Sequence, residues 1–107
     1  MSKSEKPVAI VTGSSRGVGA STAMKLAQHG WNVTITCSSS EKAALEVSDK
    51  CQALGAETLV IKSDVSEEKN CKNVVEETIT KWKRLDALVN NAGTTKFNAH
   101  ENLSGLS

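Results

Sequence analysis

The stretch TGSSRGVG, from Thr12 to Gly19, is the part of the sequence that decides the fold. It follows the continuous apolar run VAIVT, which begins at Val8 and is typical of a strand buried on both faces. A helical pattern then extends to about His29, where Gly30 is a suitable C-terminal cap. Glycines between a strand and a helix let the backbone approach an anion, and the free N–H groups of the helix start face it. The stretch therefore predicts a phosphate-binding turn.

The spacing of the glycines narrows the kind of nucleotide. Gly13, Gly17 and Gly19 have the pattern G-x-x-x-G-x-G, which differs from the common dinucleotide pattern G-x-G-x-x-G. The stretch also lacks the lysine and the hydroxyl residue that end a P-loop, which disfavours a triphosphatase. A glycine cluster on its own could equally be a flexible turn. Its position between a strand and a helix is what favours nucleotide binding.

The rest of the chain alternates strand-like runs with longer helical patterns. Three further strands are predicted at Asn32–Cys37, Glu57–Ile61 and Asp86–Val89. Connections of this length, each holding a helix, allow only right-handed crossovers between parallel strands. The alternation therefore predicts an α/β domain built on a parallel sheet.

Two further helices have clear start signals. Ser40 is predicted to cap a helix that Gly55 stops, and Ser66 to cap a helix that extends to about Lys81. Glu67 and Glu68 then carry negative charge in the first turn of the later helix. Residues spaced by three and four positions are expected to be buried: these are Ala44, Val47, Cys51 and Leu54 in the earlier helix, and Cys71, Val74, Val75, Thr78, Ile79 and Trp82 in the later one.

The composition argues against several classes of function. The chain has 107 residues and a net charge of +1, so it can form one small domain and offers no electrostatic case for nucleic acid or an anionic membrane. Its three cysteines are widely spaced and odd in number, which favours buried free thiols in a reducing compartment, hence the cytoplasm. His29 and His100 are too isolated for a zinc site. We therefore expect no metal.

The residues after the second strand bear on the choice of cofactor. An NAD-binding unit normally has an acidic residue there, about 20 residues past the glycines. This chain has Cys37 and three serines instead, and its first carboxylate is Glu41. Arg16, Ser38 and Ser39 could hold a 2′-phosphate, which favours NADP(H) over NAD. Arg16 could also be a solvated turn residue, and the serines could serve only as helix caps.

Three motifs together resemble the classical short-chain dehydrogenases/reductases, a family that includes 3-oxoacyl-carrier-protein reductases. Thr12–Gly19 is similar to the family's coenzyme motif, Asp64-Val65 to its adenine-contacting Asp, and the segment Asn90 to Gly93 (NNAG) to its N-N-A-G segment. The resemblance implies that Asn90 braces the strand ends around the glycine turn. Asp64 could instead cap the following helix, and NNAG could be a plain strand-ending turn. The cofactor contacts implied are Gly13, Ser14, Ser15, Arg16, Gly17, Val18, Gly19, Ser38, Ser39, Asp64, Val65, Asn91, Ala92 and Gly93.

The resemblance also implies a three-layer Rossmann-type fold, truncated to about four parallel strands in the order 3-2-1-4 with three helices, and an irregular tail over residues 94–107. The family's catalytic Ser and Tyr-x-x-x-Lys follow N-N-A-G, and this chain has no tyrosine. No residue is therefore assigned to catalysis. We expect an inactive NADP(H)-binding half of an oxidoreductase; a stand-alone nucleotide-binding or regulatory module is the alternative.

The fourth strand, Asp86–Val89, would then be an apolar edge of the sheet. Exposed apolar edges invite pairing with another chain. Self-association through this strand is therefore expected, and docking to a separate catalytic half is a further alternative.

Overall fold

A computed structural model describes residues 4–14, 17–65 and 67–91 of the chain. Strands and helices alternate along these residues. The strands are β1 (Val8–Thr12), β2 (Asn32–Cys37), β3 (Thr58–Lys62) and β4 (Ala87–Asn90), and the helices are α1 (Gly17–Gln28), α2 (Glu41–Ala53) and α3 (Glu68–Trp82). The four strands are parallel and lie in the order β3-β2-β1-β4. The predicted parallel sheet and its 3-2-1-4 order are confirmed.

Helices cover both faces of the sheet, so the domain has three layers. Alternate side chains of β1 point to opposite faces, as the two-residue repeat of a strand requires. Ala9 and Val11 pack in one core with α1 and α2, while Val8 and Ile10 pack in a second core with α3. The central strands β1 and β2 are fully buried, whereas β3 and β4 at the sides are mostly half-buried. None of the helices in the described ranges is long and apolar enough to cross a membrane.

A pair of buried hydroxyls joins the sheet to α3. Thr34 Oγ1 and Thr78 Oγ1 lie 2.7 Å apart, and the Thr78 hydroxyl also donates to the Val74 carbonyl at 2.8 Å. Both side chains are completely buried, so each depends on the other for a hydrogen bond that water would otherwise supply. The pair aligns α3 with β2.

The three cysteines are free and buried, as expected from the sequence. Burial is the main cause that raises the pKa of the Cys37 thiol, and it also raises the pKa of the Cys51 thiol. Cys71 Sγ donates to the Val65 carbonyl at 2.9 Å. All three act as small core residues in their reduced form.

Several predicted boundaries are wrong by one residue. Strands β3 and β4 each begin and end one position later than predicted. Asp86 lies just before β4, whose register with β1 begins at Ala87 opposite Ala9. Its carboxylate accepts from the Val8 N–H at 2.8 Å and pairs with Arg84 at 2.8 Å. Helix α3 begins at Glu68, and its N-cap is Glu67, which makes no side-chain capping bond; the predicted cap, Ser66, lies outside the described residues.

Two predicted core residues are less buried than expected: Ile79 on α3 is half-buried, and Leu54 is exposed. Leu54 was expected on the buried stripe of the second helix, but its side chain is 47% exposed. The helix ends at Ala53, and the Leu54 N–H bonds to the carbonyls of Cys51 and Gln52 as the C-terminal cap. The spacing rule fails here because it applies only while the helix continues. The rest of the stripe, Ala44, Val47 and Cys51, is buried as predicted.

Candidate functional site

The residues predicted to bind a cofactor follow the carboxyl ends of the four parallel strands. The glycine turn follows β1, Ser38 and Ser39 follow β2, Asp64 follows β3, and Asn91 follows β4. Because the strands are parallel, these segments lie along one edge of the sheet. The connection after β1 leads to one face and the helix before β4 covers the other, so the strand order reverses between β1 and β4. Open α/β sheets bind ligands at such a point.

Two glycines of the turn are required for different reasons. Gly17 has φ +63° with open space around it, so its requirement is conformational. Gly19 has no room for a side chain: a Cβ would overlap the Gly13 carbonyl oxygen and lie 2.9 Å from Ser14 Cα. The close approach brings the first turn of α1 directly against the chain leaving β1. This is the geometry that lets a helix start face a pyrophosphate.

Hydrogen bonds fix the beginning of the turn to the end of β2. The Gly13 N–H donates to Thr36 Oγ1 at 3.1 Å, and the Ser14 N–H donates to the Thr36 carbonyl at 3.2 Å. Ser14 Oγ donates to the Val11 carbonyl at 2.6 Å and accepts from the Thr36 N–H at 3.1 Å. Ser14 is completely buried. The N–H groups of Gly13 and Ser14 are thus already used within the chain, and donors for an anion must come from later in the turn.

The start of α1 supplies such donors. The first four N–H groups of a helix have no partner within it, and this helix begins at Gly17. Its first turn contains no acidic side chain that would repel an anion. Val18, the second residue of the helix, is exposed beside this turn. The helix start therefore suits an anion.

The end of β2 is polar and open. Ser38 and Ser39 are exposed, whereas Ser40 accepts a hydrogen bond from the Ala43 N–H at 3.4 Å and caps α2 as predicted. After burial, the charge of Glu41 is the next cause that raises the pKa of Cys37, and the charge of Lys62 opposes it. Both charges therefore act at the end of β2. Lys62 reaches this place because it pairs with Cys37 in the β2–β3 register.

The segment after β3 leads directly into α3. Asp64 is exposed, and its carbonyl accepts from the Glu67 N–H at 3.3 Å and from Asn70 Nδ2 at 2.9 Å. Its backbone carbonyl therefore helps to start the helix, whose N-cap is Glu67. Val65 is buried and its carbonyl binds the Cys71 thiol. The Asp64 carboxylate stands at the carboxyl edge of the sheet.

The Thr12 hydroxyl ties the end of β1 to the end of β4. It accepts a hydrogen bond from the Asn91 N–H at 2.9 Å and donates toward Asn90 Oδ1 at 3.2 Å. Asn90 also pairs with Thr12 in the register of the two strands. Asn90 therefore braces the strand ends, through Thr12 at the base of the glycine turn.

A family model described as short chain dehydrogenase matches residues 7–105. The chain belongs to the short-chain dehydrogenase family. The match covers the glycine turn, the Asp64 segment and the end of β4 in one alignment, and the chain corresponds to the amino-terminal part of the family's fold. It is an oxidoreductase-family domain with a Rossmann-type sheet.

Relatives of the chain agree with that assignment. The chain is 38% identical over 104 residues to an uncharacterized oxidoreductase of Methylorubrum extorquens, covering 97% of this chain and 42% of the relative. It is 39% identical over 90 residues to a 3-oxoacyl-[acyl-carrier-protein] reductase of Staphylococcus epidermidis, covering 84% of this chain and 37% of the relative. The chain thus spans about two fifths of the length of these relatives.

Solved structures show the same fold. A putative short-chain dehydrogenase/reductase from Burkholderia xenovorans superposes with a TM-score of 0.81 at 40% identity, covering 92% of this chain and 42% of that one. Acetoin dehydrogenase from Enterobacter cloacae superposes with a TM-score of 0.76 at 37% identity, covering 82% of this chain and 35% of that one.

The structure brings most of the predicted site residues of the chain to one edge of the sheet. Four predicted contacts, Ser15, Arg16, Ala92 and Gly93, lie outside the described residues, as does the tail over 94–107. Sequence reasoning missed Thr36 and Lys62, since neither belongs to a recognised motif. Strand alternation could have placed Thr36 on the face of Thr34, but only the three-dimensional turn shows its partners.

A separate groove of about 400 Å³ lies at the amino-terminal edge of the sheet, away from these residues. Its polar groups pair with one another: Trp82 Nε1 donates to Glu57 Oε1 at 2.9 Å, and Lys6 Nζ donates to the Gly55 carbonyl at 2.8 Å. The chemistry expected of a nucleotide site is found at the carboxyl edge and not in this groove.

Proposed function

We propose that this chain is the NADP(H)-binding part of a short-chain oxidoreductase acting on a carbonyl or a secondary alcohol. The observation that carries the proposal is the helix start at Gly17–Gly19, held against the chain after β1 at a point where no side chain fits at Gly19. The N–H groups that have no partner within the helix and the helix dipole at this point suit a pyrophosphate. The hydride would pass between the nicotinamide and the substrate carbon in the complete family member.

The adenosine side of the proposed site uses the segments after β2 and β3. The Asp64 carboxylate can accept from the adenine amino group, and the Val65 N–H can donate to a ring nitrogen. Ser38 and Ser39 are exposed next to the ribose position that the end of a second strand provides. On the other side of the glycine turn, Asn91 is exposed, where it can line the cofactor.

Charge favours NADP(H) over NAD. Residues 37–40 contain no carboxylate to bind the ribose hydroxyls or to repel a 2′-phosphate. Lys62 adds a positive charge at the end of β2 that offsets Glu41. Arg16 adds a second cation in the turn sequence. A guanidinium and hydroxyl groups together are well suited to a phosphate.

Equilibrium titration of the 107-residue chain with NADPH and with NADH tests the cofactor proposal. We expect NADPH to bind more tightly. Lys62→Gln should reduce the preference for NADPH about two- to fivefold, and Glu41→Gln should increase it by a similar factor, because exposed charge pairs contribute little more than that. Arg16→Gln should reduce the preference for NADPH more than Lys62→Gln does. A chain that binds neither cofactor, or that prefers NADH, contradicts the proposal.

We propose that the 107-residue chain by itself binds the cofactor without transferring hydride. The resemblance gives the general acid–base role to a tyrosine, and this chain has none. A mixture of the chain, NADPH and a 3-oxoacyl thioester should show no loss of reduced nicotinamide absorbance. Consumption of NADPH above the rate without protein would contradict this part of the proposal.

A nucleotide-binding or regulatory module without catalysis is the second candidate. NADPH binding does not separate the two candidates. The intact mass of the protein isolated from its source does: 11.3 kDa favours the module, and a mass more than twice as large favours the oxidoreductase. Three free cysteines suit a reducing compartment in either case, for which we propose the cytoplasm.

Strand β4 is the proposed surface for self-association of the chain. It is hydrogen-bonded only to β1 within the described residues, and Ala87, Leu88 and Val89 are half-buried. A half-buried apolar strand at the side of a sheet invites pairing with a second copy. Light scattering should show dimers or larger species at high concentration, and Val89→Lys should shift the chain toward the monomer. A monomer at all concentrations contradicts this proposal.

A further inference from the structure

The regular pairing between β1 and β2 ends before the glycine turn begins. The parallel register between these two strands ends at Val11 opposite Ile35. Thr12 continues in register with β4, opposite Asn90. The chain therefore leaves β2 at this point, and ordinary strand pairing does not hold the turn to β2.

Thr36 connects the turn to β2 where the strand pairing ends. It makes three hydrogen bonds to the turn: its hydroxyl accepts from the Gly13 N–H at 3.1 Å, its carbonyl accepts from the Ser14 N–H at 3.2 Å, and its N–H donates to Ser14 Oγ at 3.1 Å. Ser14 Oγ donates in turn to the Val11 carbonyl at 2.6 Å. Thr36 is 1% exposed and Ser14 is fully buried, so water cannot replace these bonds.

This connection joins the two halves of the proposed cofactor site. On one side is the turn that leads to the helix start at Gly17, where the pyrophosphate is proposed to lie. On the other side are Ser38 and Ser39, which follow Thr36 by two and three residues and are proposed to hold the adenosine ribose and its phosphate. A dinucleotide that spans both places gains from both only if their separation is already correct.

We propose that Thr36 and Ser14 are positioning residues that set the distance between the pyrophosphate site and the ribose-phosphate site. Neither side chain touches the cofactor; each acts through the backbone of the turn. This inference rests on the proposed function. The bonds fix the turn before the cofactor arrives, so that the cost of ordering it is not taken from the binding affinity.

The test compares two ligands that differ in how much of the site they span. NADPH carries both the pyrophosphate and the 2′-phosphate, whereas adenosine 2′-monophosphate carries only the latter. Thr36→Val keeps the shape of the side chain but leaves the Gly13 N–H without a partner. We expect it to weaken NADPH binding about tenfold and adenosine 2′-monophosphate binding less than about twofold. Ser14→Ala should give the same pattern, and Thr36→Ser, which retains the hydroxyl, should restore wild-type affinity.

Thr34→Val is the matched control. Thr34 lies two residues earlier on the same strand, is equally buried, and uses its hydroxyl to contact Thr78 on α3 instead of the turn. The Thr34→Val substitution should lower the stability of the chain, while the affinity for both ligands stays within about twofold of the wild type. Amide hydrogen exchange adds a readout that needs no ligand: the Gly13 N–H should exchange faster in Thr36→Val than in Thr34→Val.

Other outcomes would contradict the positioning role alone, or the proposed function together with it. A Thr36→Val variant that binds NADPH as the wild type does contradicts the positioning role and leaves the proposed function intact. An equal loss in Thr34→Val, or no rescue by Thr36→Ser, shows a general effect of stability or shape and also overturns positioning. Wild-type chain that binds no NADPH refutes the proposed function, and the positioning role with it.

Discussion

Replacement of Gly19 by alanine should damage both the fold and the cofactor site. The added Cβ would overlap the Gly13 carbonyl oxygen and stand 2.9 Å from the Gly13 carbonyl carbon and from Ser14 Cα. All three atoms belong to the backbone, so no change of side-chain rotamer relieves the overlap. Hydrogen bonds from Gly13 and Ser14 to Thr36 prevent the turn from simply moving away. The helix start must therefore shift outward.

Two opposing contributions set the size of the effect. Alanine favours a helix over glycine by up to about 1 kcal/mol, less in a first turn such as this one. Extra atoms forced into a packed place cost about 1–3 kcal/mol. The free energy of unfolding of Gly19→Ala should thus fall by about 1–2 kcal/mol. A helix start displaced by even about 1 Å loses its alignment with a bound phosphate, and NADPH affinity should fall by about a hundredfold.

Urea unfolding followed by circular dichroism measures the stability, and fluorescence titration measures NADPH affinity. Gly55→Ala is a control for stability alone: Gly55 has φ +97° in open space beyond the end of α2, so alanine there strains the backbone by about 1–2 kcal/mol without touching the turn. It should bind NADPH like the wild type. If Gly19→Ala keeps wild-type stability and affinity, or if Gly55→Ala loses affinity equally, the reasoning about close approach is refuted.

Two further predictions concern the strand ends and the buried thiols. Thr12→Val leaves the Asn91 N–H without its acceptor, so the free energy of unfolding should fall by about 1–3 kcal/mol in urea titrations; an unchanged value would show that this bond is not needed. Burial raises the pKa of the Cys51 thiol above its ordinary value of 9.0, so the unfolded chain releases this proton at a lower pH than the folded chain does. The stability that this thiol contributes should be fully present below the pKa of the unfolded chain and be lost as the pH rises above it. Between about pH 8 and about pH 10, the free energy of unfolding of Cys51→Ala should therefore fall less than that of the wild type. An equal fall in both would contradict a raised pKa for Cys51.

The sequence predicts the order of the strands and helices because each signal is local. The apolar runs of β1 and β2 have the predicted bounds, since these central strands are buried along their whole length. The side strands are displaced by one residue because their ends are polar. Lys62 belongs to β3 through its pairing with Cys37, and β4 begins at Ala87 because its register with β1 begins there, opposite Ala9. Such long-range contacts leave no local signal.

The site is predictable to a similar extent. Motif spacing correctly places the glycine turn, Asp64 and Asn91 at one edge, because parallel strands bring their carboxyl ends together. It does not distinguish residues that face a ligand from residues that hold the turn. Ser14 was predicted among the contacts, yet its side chain is buried and bonded to Val11 and Thr36. The importance of Thr36 depends on a partner 22 residues away and becomes visible only in three dimensions.

Chemical-shift mapping of the amide resonances during NADPH titration tests the central claim most directly. The proposed site lies at the carboxyl edge, so shifts should concentrate at Gly17, Gly19, Ser38 and Val65 and leave the indole N–H of Trp82 unchanged. Trp82 is the right reference because it lines the large groove at the opposite edge. Shifts centred on Trp82 and its groove, with unchanged resonances in the glycine turn, would contradict the account.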